Sequence, residues 1–149
     1  MLRFKQQLHQ MNRKGFTLIE VLVVIAIISI LATVVFVALD PVTRFADARN
    51  ARRWNDVNSI LTAVHQHIVD NDGDLPVGLT TSMSTTEIGS CGSCVDLAAT
   101  LSAFLASMPL DPSEGNGTNT GYEVAVDANN IVTVSAPNAE NSETVQVSR

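Results

Sequence analysis

The chain has 149 residues and is 46% hydrophobic, which suits one small domain plus a segment of special character and not two full domains. All 15 acidic residues lie at or beyond Glu20, whereas Arg3, Lys5, Arg13 and Lys14 precede it, so from residue 16 onward five basic residues face fifteen acidic ones, a side-chain charge of −10. No lysine follows Lys14, and this balance argues against a nucleic-acid partner held by phosphate contacts, which would need clustered Lys and Arg.

The first element in chain order is an apolar run from Phe16 to Leu39, 24 residues interrupted only by Thr17, Glu20, Ser29 and Thr33. As a helix rising ~1.5 Å per residue it spans about 36 Å, enough to cross a bilayer core of roughly 30 Å. The remaining chain is too small to wrap such a helix on every side, so a buried core helix is disfavoured. An ordinary secretory signal is disfavoured too, because its apolar region is shorter and the small residues Ala26, Ser29 and Ala32 sit inside this run, not at its end. The Lys and Arg residues flanking the run tie at four on each side. Arg13 and Lys14 abut it directly and the long C-terminal part translocates largely regardless of charge, which favours a cytoplasmic N-terminus.

The stretch "KGFTLIEVLVVIAIISILA", residues 14 to 32, resembles the prepilin-type cleavage and methylation segment of type IV pilins and type II secretion pseudopilins. The resemblance rests on a basic leader, Gly15 before an aromatic residue, Thr17 to Ile19, a carboxylate at Glu20, and an unbroken apolar stretch. It implies a leader of residues 1–15 removed by a membrane-embedded prepilin peptidase and methyltransferase, which would cut between Gly15 and Phe16 on the cytoplasmic side and methylate the amine of Phe16. It further implies a transmembrane and filament-core helix over 16–39, an amphipathic second half of one long bent helix over 40–70, and a globular head over 71–149. Glycine before the cut agrees with this, since it presents backbone without a Cβ in the way.

A charged group costs up to ~2.5–3.5 kcal/mol at mid-depth in a membrane segment and less near the interface. Glu20 lies about 6 Å into the helix at ~1.5 Å per residue. In the resembling families this carboxylate pairs with the cleaved amino terminus of its own chain or of a neighbouring subunit, which makes Glu20 a register device for assembly. The competing reading is a solvated carboxylate snorkelling at the headgroups.

Asp40-Pro41 follows, where proline either starts a new helical segment or kinks a continuous one. Trp54, Val57, Ile60, Leu61, Val64 and Ile68 then recur at steps of three and four, predicting one apolar stripe on a helix from about Val42 to Val69. Asp40 with Arg44 and Arg52 with Asp56 are spaced one turn apart. Arg44, Arg49, Arg52 and Arg53 read as a solvated face; meeting acidic surfaces of adjacent subunits is the alternative. "DNDGDLP", residues 70 to 76, should stop the helix. Asp70, Asp72 and Asp74 do not form an EF-hand loop, because its sixth and twelfth positions would be Leu75 and Thr81. His65 and His67, two apart on a helix, point to different sides and make no metal pair.

Residues 77–93 are rich in Ser, Thr and Gly and read as a surface loop. Cys91 and Cys94 form a lone C-x-x-C, too few for structural zinc and without a thioredoxin-like context. With the head outside the cytoplasm, a local disulfide between Cys91 and Cys94 is the leading option. It departs from the long-range disulfide of many type IV pilins. Leu97, Leu101, Phe104 and Leu105 predict a short helix within 95–109, ended by Pro109. Tyr122, Val124 and Val126, then Ile131, Val132 and Val134, predict a hairpin turning over Asp127 to Asn130, and 143–147 a third strand. The expected fold is α+β and type IV pilin-like: a long bent helix on a small head with a short helix and a three-stranded antiparallel sheet.

No catalytic constellation, cofactor site or metal site is read from the sequence, and the sequon Asn116-Gly117-Thr118 reads as a chance match in an Asn- and Thr-rich loop. The expected function is a structural subunit of a type IV pilus-like filament. Its expected partners are the prepilin peptidase, copies of itself or other pilins, and the assembly machinery of the inner membrane. It would reside in the cytoplasmic membrane as a single-pass protein before assembly, then in a surface pilus or periplasmic pseudopilus. A pseudopilin of a type II secretion or DNA-uptake apparatus is the first alternative. The C-terminal "APNAENSETVQVSR" lacks the compact Asp-rich cluster expected of a major secretion pseudopilin. A single-pass membrane protein with a ligand-binding head is the second alternative.

Overall fold

The structure, a computed structural model, describes residues 15–149. The chain divides at Asp40/Pro41 into two compact units, one ending at Asp40 and the other formed by Pro41–Arg149. In the first, helix α1 runs over Leu18–Leu39. It ends because Pro41 clashes with a helical conformation at the residue before it; Asp40 adopts a left-handed conformation (φ 37°) instead. Pro41 then opens helix α2, Pro41–Asp70, at the position where a missing N–H costs nothing. Of the two roles open to that proline, starting a new helical segment is the one observed.

The second unit packs α2 against one face of a four-stranded antiparallel sheet, β1 (Met83–Gly89), β2 (Asn119–Val126), β3 (Val132–Ala136) and β4 (Val145–Ser148), in spatial order β1-β2-β3-β4. The stripe on α2 buries Val57, Ile60, Leu61 and Val64 against Tyr122, Val124 and Val126 of β2, Val132 and Val134 of β3, and Val145 of β4. Alternation places every second residue of β2 and β3 inward, with Glu123 facing Ser135 and Val126 facing Val132 across the ladder. The β2–β3 turn forms where it is predicted. Asp127 Oδ1 accepts the N–H groups of Asn129 and Ile131, and Asn130 takes the left-handed conformation. Ile131 stays exposed, outside the inward-facing set.

Helix α2 stops at Asp70, where Gly73 at φ 100° donates its N–H back to the Ile68 carbonyl at 2.8 Å.

Two expectations for the head are corrected. The sheet has four strands, because 83–89, read as part of a surface loop, pairs with β2 through two register irregularities. Thr85 and Thr86 suit an edge strand whose outer face meets water, and Ile88 is its one buried side chain. The helix expected within 95–109 is absent. Leu101 N–H to Leu97 O and Leu105 N–H to Leu101 O, both 2.9 Å, mark single turns that never propagate. Leu97 and Leu101 are fully buried all the same, so burial in the core and not helix propagation organises this segment.

The α+β arrangement implied by the resemblance holds: a long N-terminal helical segment interrupted at Asp40, followed by a small antiparallel sheet.

Candidate processing and assembly site

The expected cleavage point, Gly15–Phe16, lies in non-helical backbone immediately before α1. Thr17 is the N-cap in extended conformation (φ −80°, ψ 153°), and its Oγ1 accepts the Glu20 N–H at 3.3 Å. This cap decides where the helix begins, and so leaves Gly15, Phe16 and Thr17 outside it. Phe16 is 82% exposed, so both the bond and the aromatic ring beside it are open to a partner. The expected leader falls on residues 1–14 apart from Gly15, and those fourteen lie outside the described residues.

Glu20 is the third residue of α1 and the acidic residue of its first turn. There it faces the positive end of the helix dipole, and with Thr17 it forms the T-x-x-E pattern of a capping box, of which the Thr17 half is made. The rest of α1 is apolar on all sides and has no buried residue. Its two internal polar side chains are satisfied within the helix, Ser29 Oγ donating to Ile25 O at 2.7 Å and Thr33 Oγ1 to Ser29 O at 2.9 Å. Neither needs water, which lets the segment enter hydrocarbon without an orphaned hydroxyl. At ~1.5 Å per residue its 22 residues reach about 33 Å, a membrane-spanning length.

The arginines read as a solvated face separate in the structure. Arg44 and Arg52 are exposed and pair with Asp47 at 3.9 Å and, one turn on, with Asp56 at 3.6 Å. Arg53 is the correction, since it is completely buried. All five guanidinium N–H groups find acceptors: Nε on Asp111 Oδ2 at 2.6 Å, Nη1 on Asn50 Oδ1 at 2.9 Å and Glu140 Oε2 at 3.3 Å, Nη2 on Ser113 Oγ at 2.7 Å and Asp111 Oδ1 at 3.2 Å. Arg49 binds Glu140 at 2.7 and 2.8 Å. Buried Asn50 exchanges bonds with the Glu140 main chain and donates to Glu143, which also accepts Trp54 Nε1–H at 2.7 Å. This network latches the loops after residues 109 and 136 to α2. A sequence signal for it exists: 46, 50, 53, 57, 60 and 64 step by four and three, so Asn50 and Arg53 continue the apolar stripe towards the head.

Burial alone would raise the Asp111 pKa, but Arg53, the N–H groups of Ser113 and Glu114, and the Ser113 hydroxyl hold it at about 2. The hydrogen bond from Arg49 likewise lowers Glu140. Burial, with the Asp56 carboxylate accepting its O–H at 2.7 Å, pushes the Tyr122 phenol up. A carboxylate depressed in the folded state stabilises above its unfolded pKa, and that stability goes as pH falls towards its folded pKa. The full chain in detergent should therefore lose about 2 kcal/mol of head stability between roughly pH 4 and pH 2 from Asp111. Thermal unfolding across that window, compared with Asp111→Asn, checks this; equal slopes for the two proteins would contradict it.

Cys91 and Cys94 form a disulfide with Cα atoms 5.0 Å apart, in the connection between β1 and β2. Among the described residues no group of three His, Cys, Asp or Glu side chains is placed to hold a metal ion.

The family described as "Prokaryotic N-terminal methylation motif" matches residues 10–36. No curated protein and no solved structure matches the chain. The matched span runs from the basic residues through Gly15, the Thr17 cap and Glu20 into the apolar helix, and with it the chain carries the prepilin signature of type IV pilins and pseudopilins.

Proposed function

We propose that this chain is a structural subunit of a type IV pilus-like filament, inserted through α1 with its N-terminus in the cytoplasm. Prepilin peptidase cuts between Gly15 and Phe16 and methylates the Phe16 amine, and the subunit then polymerises through α1. The observation that carries this reading is the start of α1: an exposed, non-helical Gly15-Phe16-Thr17 ahead of the helix, and a carboxylate in the first turn of a helix with no buried face. A protease needs accessible backbone outside a helix, and the Thr17 cap leaves Gly15 and Phe16 so, next to the membrane boundary. Cutting there creates an ammonium at Phe16, one residue before the cap and four before Glu20. Methylation keeps that charge, so the pair that would repay Glu20 for its depth does not exist until cleavage has occurred. Cleavage and assembly are in this way coupled through one charge.

Intact-mass measurement on protein from its own host tests the processing. The expected mass lacks residues 1–15 and carries one added methyl group; retention of the leader would refute the reading. Pseudopilins share the same signature, and electron microscopy of shed surface filaments separates the two roles. Dominance of this chain in such filaments marks a major pilin, and its absence from them marks a minor pilin or a pseudopilin of a secretion or DNA-uptake apparatus.

A further inference from the structure

The loop between Asp111 and Thr120 closes tightly on itself. Asp111 N–H donates to Thr120 O at 2.8 Å, Gly115 N–H to Asp111 O at 3.1 Å and Asn116 N–H to Asn119 O at 2.7 Å. At its exposed tip the side-chain carbonyl of Asn116 accepts three hydrogen bonds, from Thr118 N–H at 3.0 Å, Thr118 Oγ1–H at 2.9 Å and Asn119 N–H at 3.0 Å. These bonds fold the side chain back over the Gly117 peptide. Among the described residues, neither the Gly117 N–H nor the Asn116 Nδ2 amide group has a hydrogen-bond partner. Gly117 has no side chain, and even an added Cβ would meet nothing within 4 Å.

The geometry points to Asn116 as a self-modifying site, at which the folded loop promotes deamidation to aspartate and isoaspartate. Each participant is prepared for one step. The Gly117 main-chain nitrogen, with no hydrogen bond to give up and no Cβ beside it, attacks Cγ of Asn116 as its N–H proton is lost. The negative charge that develops on Oδ1 meets three donors already in place, the arrangement that stabilises an oxyanion. The Cγ–Nδ2 bond breaks and Nδ2 leaves as ammonia, taking up a proton, with no hydrogen bond to hold it. A five-membered imide remains. Water then adds to either imide carbonyl and opens the ring, giving aspartate or isoaspartate at 116. The net change consumes one water and releases one ammonia, with no oxidation or reduction.

The two products differ in what the loop can accept. Aspartate keeps an oxygen for the same three donors and adds an exposed negative charge. Isoaspartate inserts a carbon into the main chain of a loop without slack: a Cβ at Gly115 would stand 2.5 Å from Asp111 N and 2.8 Å from Thr120 O. That product should therefore disturb the loop that presents Asp111 to Arg53.

The test compares the full chain in detergent with a synthetic peptide of residues 113–121, both incubated in mildly alkaline buffer and followed by peptide mapping and isoaspartate detection. The folded chain should lose ammonia at Asn116 faster than the peptide does. Thr118→Val should slow the folded chain roughly tenfold, less than the hundredfold or more for a donor in a buried oxyanion site. It should leave the peptide nearly unchanged, while Thr118→Ser, which keeps the hydroxyl, should retain the fast rate. Gly117→Ala should slow both the chain and the peptide. A folded chain slower than or equal to the peptide would overturn the proposal, because the loop would then protect Asn116. So would a rate indifferent to Thr118→Val, or a loss of ammonia untouched by Gly117→Ala, which would mean direct hydrolysis without ring closure.

Discussion

Arg53→Ala is expected to destabilise the head by about 3–5 kcal/mol, the cost of removing one partner from a buried ion pair. The substitution leaves Asp111, itself only 3% exposed, without its counter-charge, and takes a donor from the oxygens of Asn50, Ser113 and Glu140 at once. Because small domains are stable by only about 5–15 kcal/mol, the variant should unfold near or just above growth temperature. Thermal unfolding of the full chain in detergent measures the loss. The double variant Arg53→Met with Asp111→Leu separates the pair from its surroundings, since replacing both charges by apolar groups of similar size is often neutral. A double variant nearly as stable as the parent would show that the single loss comes from the stranded carboxylate. An Arg53→Ala protein within about 1 kcal/mol of the parent, the range of an exposed ion pair, would contradict the buried latch.

Glu20→Ala should abolish filament assembly while leaving membrane insertion and cleavage after Gly15 intact. Insertion should persist because α1 only becomes more apolar, and cleavage because the Thr17 cap and the exposed, non-helical Gly15-Phe16 backbone do not depend on the carboxylate. The loss of assembly follows from the energetics of the site. Favourable placement at the helix N-terminus is worth about 0.3–1 kcal/mol, less than the ~2.5–3.5 kcal/mol that a charge costs at mid-depth. An additional partner is needed as the subunit leaves the headgroup layer, and the amine that the proposed cleavage would create at Phe16 is the nearest candidate in sequence. Glu20→Gln keeps the size and loses the charge, so it should fail at the same step. Membrane fractionation, intact mass and electron microscopy read the three stages separately. Normal filaments from either variant would mean that Glu20 is simply solvated at the headgroups.

What the sequence determined by itself is local in origin. The apolar run, the glycine before an aromatic residue, the T-x-x-E spacing and the proline at 41 act within a few residues of themselves, and α1, its start and its end follow from them. The stripe on α2 and the alternation of Tyr122, Val124, Val126, Val132 and Val134 are periodic signals, and each came through as helix and hairpin. What only the tertiary structure decided depends on partners far along the chain. Strand β1 carries little apolar pattern of its own and exists because β2, more than thirty residues later, offers a ladder to an edge strand. Leu97 and Leu101 have helical spacing, yet a segment this short gains more from seating both side chains in the core than from completing helical turns. Arg53 shows the same limit most sharply. By composition an arginine belongs on a solvated face; its burial became favourable only when Asp111, 58 positions away, and Glu140, 87 away, were folded onto its five donors.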